Sequence, residues 1–266
     1  MSKLQQFWES LWKDKMDPFS EVSVHRDSNP VEGVDVPATM KVLRLPMIFS
    51  SISDVMIRDD YGEAMRDIES YDTRGKKKKK SVIILGHPGI GRITGSVGQA
   101  WVLTSPPYLG KTILLYYILV KRLFEEKRTI LQISPQYFLF FNADGVEVLF
   151  TSSLEGLFLD PQFEKYRNTW ALIDISVHLE SPAEVLSKDN SPFFLVVASS
   201  PRPSRLRELN KYARPSTYWF MKPFTLAELI QASVFLSSIS SFVTYVMAQS
   251  STSRGYSRGV RYCELL

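Results

Sequence analysis

The sequence predicts an α/β domain in which helices cover both faces of a mainly parallel sheet, and three observations predict it. A short, almost wholly apolar run stands at residues 81–85 (SVIIL), and further strand-like apolar runs follow at 129–133 (TILQI), 169–175 (TWALIDI) and 193–200 (FFLVVASS). Such runs suit strands buried on both faces, as in a parallel sheet. Helical periodicity fills the intervals, most clearly at 113–124 (ILLYYILVKRLF), and strand alternating with helix is the pattern of a three-layer fold. A glycine-rich turn directly follows the first of these runs.

Composition sets the outer bounds. The chain has 266 residues, 44% hydrophobic and 23% charged, which excludes a disordered tail, a collagen-like fibre and a polytopic membrane protein. Thirty-two basic against 28 acidic residues leave a charge of +4, too slight to imply a nucleic-acid footprint. The single cysteine, Cys263, excludes an intramolecular disulfide framework and a cysteine-built zinc site. His25, His87 and His178 have no metal-like spacing.

The elements follow in order. In residues 1–15, Leu4, Phe7, Trp8, Leu11 and Trp12 share one helical face, and charges interrupt it, so it is no secretory leader. It reads as an amphipathic helix docked on the body, with a membrane-surface or partner-binding helix as the alternative. Residues 16–45 lack a clear period and read as a loose arm, so 1–55 is taken as helix plus irregular arm ahead of a domain at 56–249. Tyr61, Ala64, Met65 and Ile68 recur at helical spacing. The lysine run Lys76 to Lys80 reads as a solvated loop, or else as a nuclear import signal or phosphate-contacting patch, and it points to an intracellular protein, cytoplasmic or nuclear. Residues 137–141 and 146–150 flank Asn142-Ala143-Asp144-Gly145 as a hairpin, and 218–221 supplies a last strand. Thr225 and Glu228 have capping-box spacing at the start of a helix. The uncharged stretch 229–248 that follows is long enough to span a bilayer, but its serines favour a buried or amphipathic helix. Residues 250–266, rich in Ser, Arg and Gly, read as a flexible tail.

The chemistry-bearing motif is a phosphate-binding loop in two pieces. Such a loop needs a strand, then G-x-x-x-x-G-K-[ST], then a helix. Its glycines let successive backbone N–H groups face phosphate oxygens, its lysine adds a point charge, and its hydroxyl ligates Mg²⁺. Here strand 81–85 runs into Gly86-His87-Pro88-Gly89-Ile90-Gly91, and Gly110-Lys111-Thr112 opens the helix 19 residues after the place where Lys-Thr belongs. Deleting residues 92–110 restores GHPGIGKT. The stretch has a short-intron length; Leu103-Thr104 can be encoded by a branch-point-like CTAAC, and Tyr108-Leu109 before glycine by a pyrimidine-rich acceptor. It reads as a retained intron. The competing reading takes residues 105–112 (SPPYLGKT) as a variant loop, against which stand two stiffening prolines and no strong strand before it.

With 92–110 set aside, GHPGIG plus GKT, the helix LLYYILVKRL and the strand TILQ resemble the P-loop NTPases of the Crinkler and retrotransposon-hot-spot type, found in fungi. The likeness continues through Ala171-Leu172-Ile173-Asp174, FFLVVASSPR at 193–202 and FMKPFTLAEL at 220–229, and covers about two thirds of the chain. The resemblance implies a P-loop NTPase-like fold that binds ATP or another NTP with Mg²⁺. Gly86, Gly89, Gly91 and Gly110 would form the cradle, Lys111 would contact the outer phosphates, and Thr112 and Asp174 would serve the metal. Ser200 would be a polar sensor near the γ-phosphate, with Ser199 beside it, and Arg202 (or Arg205) would stabilise transferred charge. Residue 175 is isoleucine where faster ATPases carry a glutamate base, which implies slow hydrolysis. The family continues into a helical lid after 229–248, and the tail here departs from it. The interrupted cradle predicts weak or absent ATP binding, restored to micromolar class by deletion of 92–110. The alternative function is a non-catalytic module for a protein or nucleic-acid partner on a degenerate NTPase fold.

Overall fold

The computed structural model describes residues 2–23, 35–46, 54–73, 81–86, 110–154, 166, 168–175, 179–187, 191–200, 207, 209 and 216–232, with the backbone of 92–93 and 103–104. Two compact units divide it: residues 1–21 with 41–223, and residues 22–40 with 224–266.

The elements of the chain are α1 (Lys3–Trp12), β1 (Phe19–Ser23), β2 (Thr39–Arg44), β3 (Asp54–Ile57), α2 (Asp60–Thr73), β4 (Ser81–Leu85), β5 (Arg92–Ile93), β6 (Leu103–Thr104) and α3 (Lys111–Phe124), followed by β7 (Thr129–Gln132), β8 (Tyr137–Asn142), β9 (Gly145–Phe150), the single turn α4 (Thr151–Leu154), β10 (Trp170–Asp174), α5 (Glu184–Ser187), β11 (Phe194–Ser199) and β12 (Ser216–Phe220). The main sheet has seven strands in the order β12-β4-β11-β10-β7-β8-β9. The first five run parallel, and β8 and β9 continue the sheet as antiparallel strands. The class is therefore α/β with a mostly parallel sheet.

The apolar runs are continuous because each strand feeds two cores. Val82 and Ile84 of β4, Leu172 of β10 and Val196 and Ala198 of β11 join the core that contains α3, while Ile83, Leu85, Ala171, Ile173, Leu195 and Val197 join the opposite one. Alternation by two, with both faces dry, keeps the middle of each strand apolar, and the buried polar residues Ser81, Thr129, Gln132 and Ser199 stand at strand ends. Helix α3 is buried along most of its length, from Thr112 through Leu123. Phe7, Trp8, Leu11 and Trp12 of α1 belong to the same core, so the N-terminal helix is docked on the body. At about 1.5–3 kcal/mol for each large apolar side chain taken out of water, that face anchors the helix firmly.

Where an irregular arm is expected, the chain forms strands. β2 pairs antiparallel with β3, from Lys41↔Ile57 to Arg44↔Asp54, within a three-stranded sheet ordered β1-β2-β3. Inside β2 buried Met40, Val42 and Leu43 interleave with exposed Thr39, Lys41 and Arg44. Six residues of mixed composition are too short a run to announce a strand before its partner is known. The hairpin lies as expected, with Asn142 opposite Gly145 and the Asn142 side chain accepting from the Asp144 N–H at 2.6 Å. In the smaller unit the capping box is reciprocal: Glu228 N–H donates to Thr225 Oγ1 at 3.1 Å, and Thr225 N–H to Glu228 Oε2 at 2.7 Å. Residues 226–232 are helical there. Residues 233–248 of the bilayer-length stretch, the lysine run 76–80 and the tail 250–266 lie outside the described residues. Among the described residues no helix is long and apolar enough to cross a membrane.

Candidate functional site

The sheet topology marks one edge as the place for a ligand. From β4 the chain passes through α3 to β7, moving across the sheet in one direction, whereas β10 to β11 and β11 to β12 move in the other. Right-handed crossovers in opposite directions place their connections on opposite faces. That holds here: α3 packs in one core, and Val185 and Leu186 of α5 in the other. The carboxyl ends of β4 and β11, which are neighbours, therefore open onto a switch point, where α/β sheets hold their ligands.

Of the residues named by the phosphate-loop motif, the described ones, Gly86, Gly110, Lys111 and Thr112, gather at that edge. Gly86 directly follows β4 and is buried, and Lys111 is the first residue of α3. They touch. A methyl group built on Gly86 would lie 2.9 Å from the Lys111 Nζ, 3.0 Å from its Cγ and 3.1 Å from its Cδ. Gly86 and Lys111 thus lie side by side, although they are 25 positions apart in the chain. Next to Lys111, Thr112 is 9% exposed and its hydroxyl donates to Asp174 Oδ2 at 2.9 Å. Asp174 ends β10, which β11 separates from β4, so α3 must pass obliquely over the end of β11 for this bond to form. Register aligns Asp174 with Ala198 and Leu85 with Ser199, which sets all three strand ends level.

Two oxygens 2.9 Å apart suit a small hard cation. Mg²⁺ bonds of about 2.1 Å in an octahedron put neighbouring ligand oxygens about 3.0 Å apart. The Thr112 hydroxyl and the Asp174 carboxylate are oxygen donors of the type such an ion takes, with water or phosphate oxygens for the remaining positions. Among the described residues no group of three or more His, Cys, Asp and Glu side chains forms a self-sufficient metal cage. The N-terminus of α3 adds a positive end. Its cap residue, Gly110, has φ 119° and ψ −102° and supplies no side-chain cap, so no side chain of its own competes for the first-turn N–H groups.

The other expected site residues divide into three groups. Ser199 is fully buried and its hydroxyl donates to the Ser200 carbonyl at 3.2 Å, while Ser200 is half-buried just past the strand end. Ile175, at the place of a base, is 4% exposed and packs in the core opposite α3, facing away from the Thr112 side. Gly89, Gly91, Arg202 and Arg205 lie outside the described residues, as do Trp101 and Tyr108 of the interrupting stretch; of that stretch before Gly110, the short antiparallel pair β5 and β6 is described.

One contributor lies outside the phosphate-loop motif. Tyr61 of α2, read in the sequence only as part of an apolar stripe, donates its hydroxyl to the Gly110 carbonyl at 3.0 Å and is 1% exposed. A tyrosine on a buried stripe is the signal that was available, because its hydroxyl must find a partner once dry. A cavity of about 370 Å³ lies away from the strand ends, on the flank of α3 between Phe19, Arg58, Tyr117 and Lys121. Comparisons with protein-family models, with curated proteins and with solved structures find no match to this chain.

Proposed function

We propose that the protein binds a nucleoside triphosphate, ATP foremost, together with Mg²⁺, and turns it over slowly if at all, on a fold of the P-loop NTPase type. The single observation that carries this reading is the meeting of Gly86, Lys111, Thr112 and Asp174 at the switch point, in the order strand, lysine, hydroxyl, carboxylate. The Lys111 ammonium would face the outer phosphates, with the N-terminus of α3 adding partial positive charge. Thr112 and Asp174 would hold Mg²⁺, directly or through its water shell, and the ion would neutralise charge on the phosphates. Ser200, just past the end of β11, would serve as the polar sensor for the γ-phosphate, and Arg202 follows it in the chain. A buried isoleucine after Asp174 supplies no base to orient attacking water, which supports binding over fast hydrolysis. The resemblance of the sequence motifs to Crinkler-type proteins implies the same reading.

The test compares three proteins: the full chain, Lys111→Ala, and a chain lacking residues 92–110. MgATP raises the melting temperature of whatever form it binds. The full chain is expected to bind weakly, because the interruption keeps the lysine but breaks the run of N–H groups between Gly91 and Lys111. The shortened chain should reach about micromolar affinity, roughly a hundredfold tighter or more, and Lys111→Ala should lose the effect. Equal affinity of the full and shortened chains shows the insert to be tolerated. Stabilisation by nucleic acid, with none by nucleotide in any of the three, replaces this reading with a partner-binding module.

A further inference from the structure

We infer that Tyr61 is a positioning residue of the phosphate site, setting the direction of the Gly110–Lys111 peptide from a helix far from the loop in sequence; this rests on the nucleotide reading above. The Gly110 carbonyl accepts two hydrogen bonds, from the Leu114 N–H at 2.9 Å and from the Tyr61 hydroxyl at 3.0 Å. A carbonyl oxygen has two lone pairs, and both are then engaged. The same rigid plane carries the Lys111 N–H, which in a trans peptide points the opposite way, out of the helix N-terminus. Fixing the carbonyl from two sides therefore aims that N–H. Glycine at this cap makes the restraint matter. Gly110 has φ 119°, a region open to glycine and few others, and a residue with no side chain is held only through its backbone.

The tyrosine is itself held in place. Helix α2 is tied to the sheet along its length, by Glu63 to Lys222 at 2.6 Å, by the Trp219 indole N–H to Asp67 at 3.3 Å and by the Trp170 indole N–H to Asp72 at 3.0 Å. Arg58, just before the helix, donates to the carbonyls of Lys222 and Pro223 at 3.0 and 3.2 Å. The Tyr61 ring also packs on Tyr117 of α3, with centroids 5.7 Å apart. The hydroxyl is thus referenced to β10, to β12 and to α3, which are the elements around the site. A loose tyrosine would follow the Gly110 carbonyl; this one constrains it.

The experiment titrates the full chain with MgATP and, separately, with magnesium tripolyphosphate, both followed by ³¹P NMR at 25 °C. Tyr61→Phe keeps the ring and removes the hydroxyl. It should weaken both ligands by the same factor, about fivefold, since the lost restraint acts on phosphate and not on the base. Tyr61→Leu removes the ring as well; it should lower the melting temperature further yet weaken both ligands no more than Tyr61→Phe does. A larger loss of affinity in the leucine variant overturns the inference, because packing and not the hydroxyl would then set the site. So does Tyr61→Phe with wild-type affinity while Lys111→Ala has lost binding, an outcome that leaves the nucleotide reading standing. A full chain and a 92–110 deletion that both ignore the two ligands sink the nucleotide reading, and this inference with it.

Discussion

Substituting Gly86 by alanine separates the lysine contact from every other feature of the site. The added methyl would sit 2.9 Å from Lys111 Nζ, 3.0 Å from Cγ and 3.1 Å from Cδ. Carbon atoms prefer separations of about 3.5–4.0 Å, so the lysine must withdraw by roughly 0.5–1 Å. Driving its torsions off their wells costs about 0.5–1.5 kcal/mol. Gly86 does not adopt a left-handed conformation, so alanine meets no backbone strain there and narrows the unfolded ensemble by about 0.4–1 kcal/mol. The two effects oppose each other, and stability should change by between about 0.5 kcal/mol gained and about 1.1 kcal/mol lost. Affinity responds differently. At an effective dielectric near 20, moving unit charges from about 3 to 4 Å apart loses about 1 kcal/mol, so MgATP should bind about fivefold to tenfold more weakly. With Lys111→Ala in place the clashing atoms are gone, and Gly86→Ala should then stabilise by about 0.4–1 kcal/mol. Urea unfolding of the four proteins gives the coupling, and calorimetric titration of the two that keep Lys111 gives the affinity. If Gly86→Ala changed stability equally with and without Lys111, the reasoning would fail, because the contact would not be with the lysine.

Three further outcomes follow from the packing. Trp8→Ala removes a side chain that is 0% exposed in the main core and should cost about 3–5 kcal/mol in urea unfolding; a loss under about 1 kcal/mol would mean that α1 is not part of the fold's core. Gly145→Ala places a methyl 2.9 Å from Gln5 Oε1 on a backbone with φ 139°, so it should cost about 1–3 kcal/mol, and Gln5→Ala should recover only the clash, leaving the backbone strain. For the Glu63–Lys222 pair, the hydrogen bond with Lys222 holds the Glu63 carboxyl below its ordinary 4.5, and the bond with Glu63 raises the Lys222 ammonium above 10.5. The carboxylate's contribution is present above pH 4.5 and lost as pH falls through the lowered value; the ammonium's is present below pH 10.5 and lost as pH rises through the raised value. The melting-temperature gap between wild type and Lys222→Ala should therefore be flat between those limits and close beyond each, and a gap unchanged across both would refute the pairing.

What the sequence discloses, and what it withholds, follows from the range of each interaction. Strands β4, β7, β10 and β11 are legible because burial on both faces keeps their central residues apolar, a local property of four to six residues. The turn at 142–145 and the cap at Thr225 and Glu228 are legible because their hydrogen bonds close within two or three residues. β1 and β2 are not, since mixed burial along five or six residues makes a strand only once a partner is in place. In the site, the residue types at 86, 111, 112 and 174 carry the chemistry and can be read. Their meeting cannot. Nor can the role of Tyr61, whose partner is 49 residues away and is a backbone carbonyl, an atom that every residue possesses.

An interrupted phosphate loop loses its parts unequally, because they are held by different means. Asp174 and Ser199 are placed by the ends of β10 and β11, whose register is fixed by hydrogen bonds along the full strands. Thr112 and Lys111 are placed by α3, which is buried on the sheet for more than three turns and anchored at its cap by Tyr61. None of these depends on how many residues join Gly86 to Gly110, and closing a longer loop costs only about 0.6 kcal/mol per doubling of its length. The consecutive N–H groups that encircle a phosphate have no such support, for they exist only while the backbone runs unbroken from strand into helix. On the proposed nucleotide reading, an insertion at this point spares the lysine, the hydroxyl and the carboxylate but breaks the run of N–H groups, so the ligand property it should abolish first is tight grip on phosphates, with the Thr112–Asp174 pair surviving. On those grounds the full chain and the 92–110 deletion should differ in affinity for MgATP far more than in stability.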